Sequence, residues 1–144
     1  MAYGMQMIIE QPHAAAVQLV RAALQAENLA VLTTTDVAAI LEQAFGLNLP
    51  PQTALGICTP ALAHASLQAD PSVGLLVPCS IIVRATGADT TVIEAPKLEM
   101  IIAVTGDHHL RPAVADAITR LRAAFARLGP TPPSSSTASS GLPA

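Results

Sequence analysis

The chain has 144 residues, a hydrophobic fraction of 51% and a formal net charge of −3. This length predicts one domain that can fold without disulfides or a metal ion. Aromatic residues make up only 2% of the chain, and acidic residues outnumber basic ones. Nucleic-acid binding is therefore not expected, since it relies on stacking side chains and positive charge.

The sequence also lacks the apolar stretch of about 20 residues that a transmembrane helix needs. Its longest strongly apolar run, residues 75–83, has strand length and contains Pro78. The N-terminus does not show a basic segment followed by an apolar core, so we expect no secretory signal. We therefore expect a cytoplasmic protein without a membrane partner, in which the two cysteines are reduced.

The pattern of apolar residues predicts strands and helices that alternate, followed by a hairpin and a long final helix. Asp36 and Thr59 are predicted N-caps, and Gly46 is predicted to end the second helix. Pro78 is expected to interrupt the pairing of its strand because proline has no backbone N–H. The predicted strands are residues 5–9, 29–34, 54–58, 75–84 and 90–95; the helices are residues 12–28, 36–46 and 59–69, a short amphipathic segment after Pro96, and residues 112–128.

This order of elements predicts an α+β fold, a mixed and mostly antiparallel sheet with helices on one face. The folded domain is expected to span residues 3–128. Residues 129–144 contain four Pro and five Ser. Such a composition cannot bury enough apolar surface to offset the entropy of ordering, so we predict a disordered tail.

Both cysteines lie where predicted strands end or bend, and they are the leading candidates for a functional site. Cys58 directly precedes a predicted helix start, where the helix dipole and unpaired amides favour the thiolate. Cys79 follows Pro78 at the predicted interruption of its strand. If these two strands are neighbours, the sulfur atoms approach each other. Alternatively, both cysteines are small buried hydrophobic residues, since free Cys is among the most buried residue types.

Two further residues are candidates for the same site. His64 lies on the helix that follows Cys58, although a single His on an Ala-rich helix is usually a surface residue. Met100 together with the two cysteines would form a soft ligand set suited to Cu(I). Methionine at helical spacing, however, is more often a core residue.

The motifs of common enzyme classes are missing from the sequence. The glycines are isolated, so no phosphate-binding loop is predicted. No nucleophile elbow or paired zinc knuckles occur. The sequence therefore favours a protein without enzymatic activity and leaves the catalytic residues and the cofactor unassigned.

Two motifs flank the third predicted helix, Gly56–Pro60 (GICTP) and Gly74–Cys79 (GLLVPC). They resemble the Gly-x-Cys-x-Pro and Leu-Pro-Cys signatures of the domain of unknown function 302 family. Val77 stands in place of the usual Leu, and Ala95 precedes Pro96 where the family has Asp. The resemblance implies a TATA-binding-protein-like arrangement, in which a curved antiparallel sheet packs against a long C-terminal helix, and it implies a homodimer. It implies no activity.

Three hypotheses about function follow. In the first, which we favour from the sequence, Cys58 and Cys79 form a thiol site for a soft metal, sulfur or redox equivalents, with His64 and Met100 as additional contributors. In the second, the domain binds an apolar small molecule or haem. In the third, it is a dimeric interaction subunit whose cysteines are buried and inert.

Overall fold

The computed structural model describes residues 4–129. They form an α+β fold in which every strand pair of the sheet is antiparallel, and the predicted fold class is confirmed. None of the helices in this range is long and apolar enough to cross a membrane. The predicted tail, apart from Gly129, lies outside the described residues. The elements are β1 (Gly4–Ile9), α1 (His13–Ala26), β2 (Ala30–Asp36), α2 (Val37–Phe45), β3 (Gln52–Cys58), α3 (Pro60–Ala69), β4 (Cys79–Gly87), β5 (Thr90–Pro96), α4 (Met100–Thr105) and α5 (Arg111–Ala126).

The five strands lie in the order β1-β5-β4-β3-β2, so β1 and β2 are the edge strands. β4 and β5 form the predicted hairpin, and α1 connects the two edges across one face of the sheet. Alternate residues of the strands point to that face, which explains the burial of Leu55, Ile81 and Ile93. α1 packs there against β4 and β5, α5 packs against α1, and the end of α5 brings Phe125 into the core.

The helix boundaries follow from local side-chain chemistry. The side chain of Asp36 accepts a hydrogen bond from the backbone N–H of Ala39, and Thr59 Oγ1 accepts one from the N–H of Leu62. Both are N-caps, as predicted. Gly46 ends α2 with φ 69°, in the left-handed region that a glycine adopts without a Cβ penalty.

The prediction of a strand over residues 75–84 is wrong at its start, because β4 begins only at Cys79. The preceding residues form a 3-10 helix, Pro71–Leu75, whose first turn is capped by the side chain of Asp70. Leu75 is 89% exposed despite its place in an apolar run. Pro78 has no N–H to donate to a sheet, and the Val77–Pro78 peptide bond is cis.

Candidate functional site

Cys58 lies at the junction of β3 and α3, as the sequence predicts. Its side chain is buried, and Sγ donates a hydrogen bond to the carbonyl oxygen of Thr59 at 3.3 Å. Burial raises the pKa of the Cys58 thiol, and this effect outweighs hydrogen bonds to the backbone of Thr59 and Ala63, which lower it. The sequence led us to expect that the helix start favours the thiolate, whereas in the folded domain the loss of hydration raises the pKa of this thiol.

Cys79 is the first residue of β4 and lies opposite Ile57 of β3. It is buried, and its Sγ donates to the carbonyl oxygen of Leu76 at 3.5 Å. Burial, with a smaller contribution from the negative charge of a Cys58 thiolate, raises the pKa of Cys79 to about 11. At neutral pH the residue is therefore a protonated thiol that donates a hydrogen bond.

The sequence left open whether the two cysteine-bearing strands are neighbours, and the structure pairs β3 with β4. Both cysteines are free, and the register does not place them directly opposite one another: Cys58 lies opposite Ala30. His64 and Met100, the other candidates, are exposed, whereas both thiols are buried. Within residues 4–129, no group of three or more His, Cys, Asp and Glu side chains could hold a metal ion.

A second candidate site, which the sequence did not reveal, is a cleft of about 250 Å³ beside α2. Its walls are α2, the loop that follows it, and the facing ends of β3 and β4, where Gln52 lies opposite Arg84. Arg84 donates from Nε and Nη2 to Glu94 Oε1, at 3.2 and 3.0 Å. The cleft is lined by Val37, Ala38, Leu41, Leu49, Pro50, Pro51, Gln52, Arg84 and Ala85.

α2 differs from the other long helices because none of its residues is buried. Ile40 and Phe45 on the helix, and Leu47 and Leu49 in the loop after it, are all exposed. We call these four side chains the α2 surface. Leu32, on the neighbouring edge strand β2, is exposed as well. Hydropathy patterns gave no signal for this surface, because they do not show which other element covers a helix.

The chain was compared with protein-family models, with solved structures and with curated proteins. The sequence model of the family described as "Domain of unknown function DUF302" matches residues 5–128. The structure is similar to the crystal structure of an uncharacterized conserved protein DUF302 from Bacillus stearothermophilus, with a TM-score of 0.77 and 25% sequence identity. That match covers 90% of this chain and 100% of the other. No curated protein matches the chain.

Proposed function

The chain belongs to the family described as domain of unknown function DUF302, and from that premise we propose that it is a non-enzymatic interaction domain that forms a homodimer through the α2 surface. One observation carries the proposal: α2 buries no residue, and Ile40 and Phe45 of this helix and Leu47 and Leu49 of the loop after it are all exposed. Several exposed large apolar residues within one short segment favour an interaction site more than single exposed residues scattered over the surface do.

The size of the α2 surface fits a protein partner. The four residues expose roughly 400 Å² together, about half of the ~800 Å² that each partner buries in a standard interface, so neighbouring residues such as Leu32 would contribute the rest. Phe45 contributes most, because it is the largest of the four and is 71% exposed. Aromatic residues at the centre of an interface commonly carry much of the binding free energy.

The charge of this region supports a second copy of the chain as the partner. Between Val37 and Pro51 the only charged residue is Glu42. In a symmetric dimer the same surface faces itself, so a charged surface would meet its own charge. Because the α2 region carries almost no charge, little repulsion would arise between its two copies. Depletion of charge is also typical of the core of an interface.

The two cysteines fit this proposal as packing residues. Their thiols lie in the core cluster, and each donates to a nearby backbone carbonyl. Their raised pKa values keep them protonated at neutral pH, whereas nucleophilic and metal-binding cysteines act as thiolates. We therefore favour the interaction domain over the thiol site.

The test is sedimentation equilibrium of the full chain and of two variants across a range of concentrations. Phe45→Glu places a charge in the α2 surface. Leu75→Glu is the control, because it places the same charge at an exposed apolar residue that is not part of the α2 surface. We expect the unmodified chain and Leu75→Glu to be dimers and Phe45→Glu to be a monomer. A monomeric unmodified chain, or a Phe45→Glu variant that remains dimeric, would contradict the proposal.

A further inference from the structure

We infer that the cleft between α2 and the ends of β3 and β4 is a binding site for a small uncharged molecule with an apolar body and one amide-like or hydroxyl group. The cleft has about 250 Å³. Since one water takes about 30 Å³ of liquid, this volume holds a molecule of roughly eight to ten non-hydrogen atoms. It is close to the lower end of the range for ligand pockets.

The walls of the cleft that an apolar body would contact are mostly hydrophobic. Val37 and Leu41 of α2 contribute to them, and so do Leu49, Pro50 and Pro51 of the following segment. The prolines offer no backbone N–H, and the carbonyl oxygen of Pro51 already accepts a hydrogen bond from the N–H of Ala85 at 2.9 Å. These walls therefore recognise shape and apolar area rather than polar groups.

The polar side chains that line the cleft favour a ligand with a neutral polar group. Gln52 and Arg84, opposite each other in the β3–β4 ladder, are the only polar residues in the lining. Two N–H groups of Arg84 already bond to Glu94, so the positive charge is compensated. A carboxylate ligand would find Arg84 already paired with Glu94 and would therefore gain little from its positive charge. Gln52 offers one acceptor and two donors, which matches an amide or a hydroxyl group.

The lining argues against haem as the ligand. No His, Cys, Met or Tyr, the residues that hold haem iron, lines this cleft. Its volume is also too small for a macrocycle, which has several times more atoms than the roughly ten that fit. The small neutral molecule is consequently the ligand class that the cleft favours.

The inference is tested by titrating the full chain with cyclohexanecarboxamide and, separately, with cyclohexanecarboxylate, two probes of nearly equal shape. Backbone amide resonances are followed by ¹H–¹⁵N correlation spectra. We expect the carboxamide to shift resonances of residues 37–41, 49–52 and 84–85, with a dissociation constant on the order of 1 mM. The carboxylate should bind at least tenfold more weakly, and Glu94→Gln should reduce that difference.

Two variants show whether the cleft is the site. Leu41→Trp fills the cleft and should abolish the shifts, while unchanged resonances of α5 show that the variant is folded. Gln52→Leu should weaken carboxamide binding severalfold. Absence of shifts in the unmodified chain, or shifts that persist in Leu41→Trp, would refute the site; equal binding of both probes would refute its preference for neutral ligands.

The same titration of Phe45→Glu separates this inference from dimer formation. Phe45 does not line the cleft. Leu49, however, belongs both to the cleft lining and to the α2 surface, so a dimer would restrict access to the cleft. We therefore expect Phe45→Glu, as a monomer, to bind the carboxamide at least as tightly as the unmodified chain. Loss of binding in Phe45→Glu would show that the cleft is not an independent site.

Discussion

α1 and α2 are both amphipathic helices, but only α1 is covered by other elements of the domain. α1 buries Val17, Val20 and Leu24 against the sheet and α5, whereas α2 buries no residue. The end of α1 is also held to α5, because Arg127 forms an ion pair with the side chain of Glu27. An amphipathic helix is thus buried only where a second layer covers it. The α2 region lacks that layer within the described residues.

The two phenylalanines of the chain provide the sharpest contrast between these regions. Phe125 of α5 is 1% exposed, and Phe45 of α2 is 71% exposed. Phe125→Ala should lower the free energy of unfolding by about 3–5 kcal/mol, since it removes a fully buried ring and leaves a cavity. Urea unfolding followed by circular dichroism measures this. A loss below 1 kcal/mol would contradict the assignment of α5 to the core.

The contact between β2 and β3 is the next most sensitive feature of the packed region. A Cβ on Gly56 would overlap Thr33 Oγ1 and lie 3.4 Å from Pro78 Cγ. We expect Gly56→Ala to destabilise the domain by about 1–3 kcal/mol through overpacking.

Matched variants sharpen this prediction. Adding Thr33→Ala to Gly56→Ala should recover part of the loss, because it removes the overlapping oxygen. Gly74→Ala is the control, since a Cβ there meets no atom within 4 Å. Equal effects of the Gly56 and Gly74 substitutions in urea unfolding would show that the close approach of β2 and β3 has no energetic importance.

The burial of Cys79 predicts a pH dependence of stability. Its pKa is raised from 9.0 to about 11 in the folded domain. Between these values the unfolded chain loses the thiol proton while the folded domain keeps it, so the free energy of unfolding falls as pH rises. Below about pH 8 this contribution is constant.

Urea unfolding at pH 7, 9 and 10.5, compared with Cys79→Ala, isolates the effect of this thiol. The unmodified chain should lose more stability than Cys79→Ala over this range. Chromogenic thiol reagents at pH 7 should label neither cysteine until the domain is unfolded. Rapid labelling of Cys58 in the folded domain would instead support the thiol-site hypothesis.

The smallest effect on the domain itself is expected at the α2 surface. Phe45→Ala should change the free energy of unfolding by less than about 0.5 kcal/mol when measured at concentrations where the chain is monomeric, since the ring is already in solvent. At concentrations where the chain is dimeric, the substitution should lower the apparent stability, because association stabilises the folded state. A large effect that is independent of concentration would show that Phe45 belongs to the core.

Elements with strong local signals were predicted correctly. Asp36, Thr59 and Gly46 act on their own neighbours in the chain, so the ends of α2 and the start of α3 follow from a few residues. Residues 75–77 were predicted wrongly, because a short apolar run is compatible both with a buried strand and with an exposed turn. The reactivity of Cys58 could not be predicted for a similar reason. The helix start beside it is a local feature of the sequence, but the burial of its thiol depends on the packing of the whole domain.

The sequence by itself determined the α+β class, the order of the main elements and the caps of α2 and α3, since these depend on periodicity and side-chain chemistry over short distances. The pairing of the strands that carry Cys58 and Cys79 came from the tertiary structure. Only the tertiary structure decided which surfaces are covered. Burial depends on which elements pack against each other across the whole chain, and that packing raises the pKa of both thiols, leaves the α2 surface in solvent and opens the cleft beside Arg84.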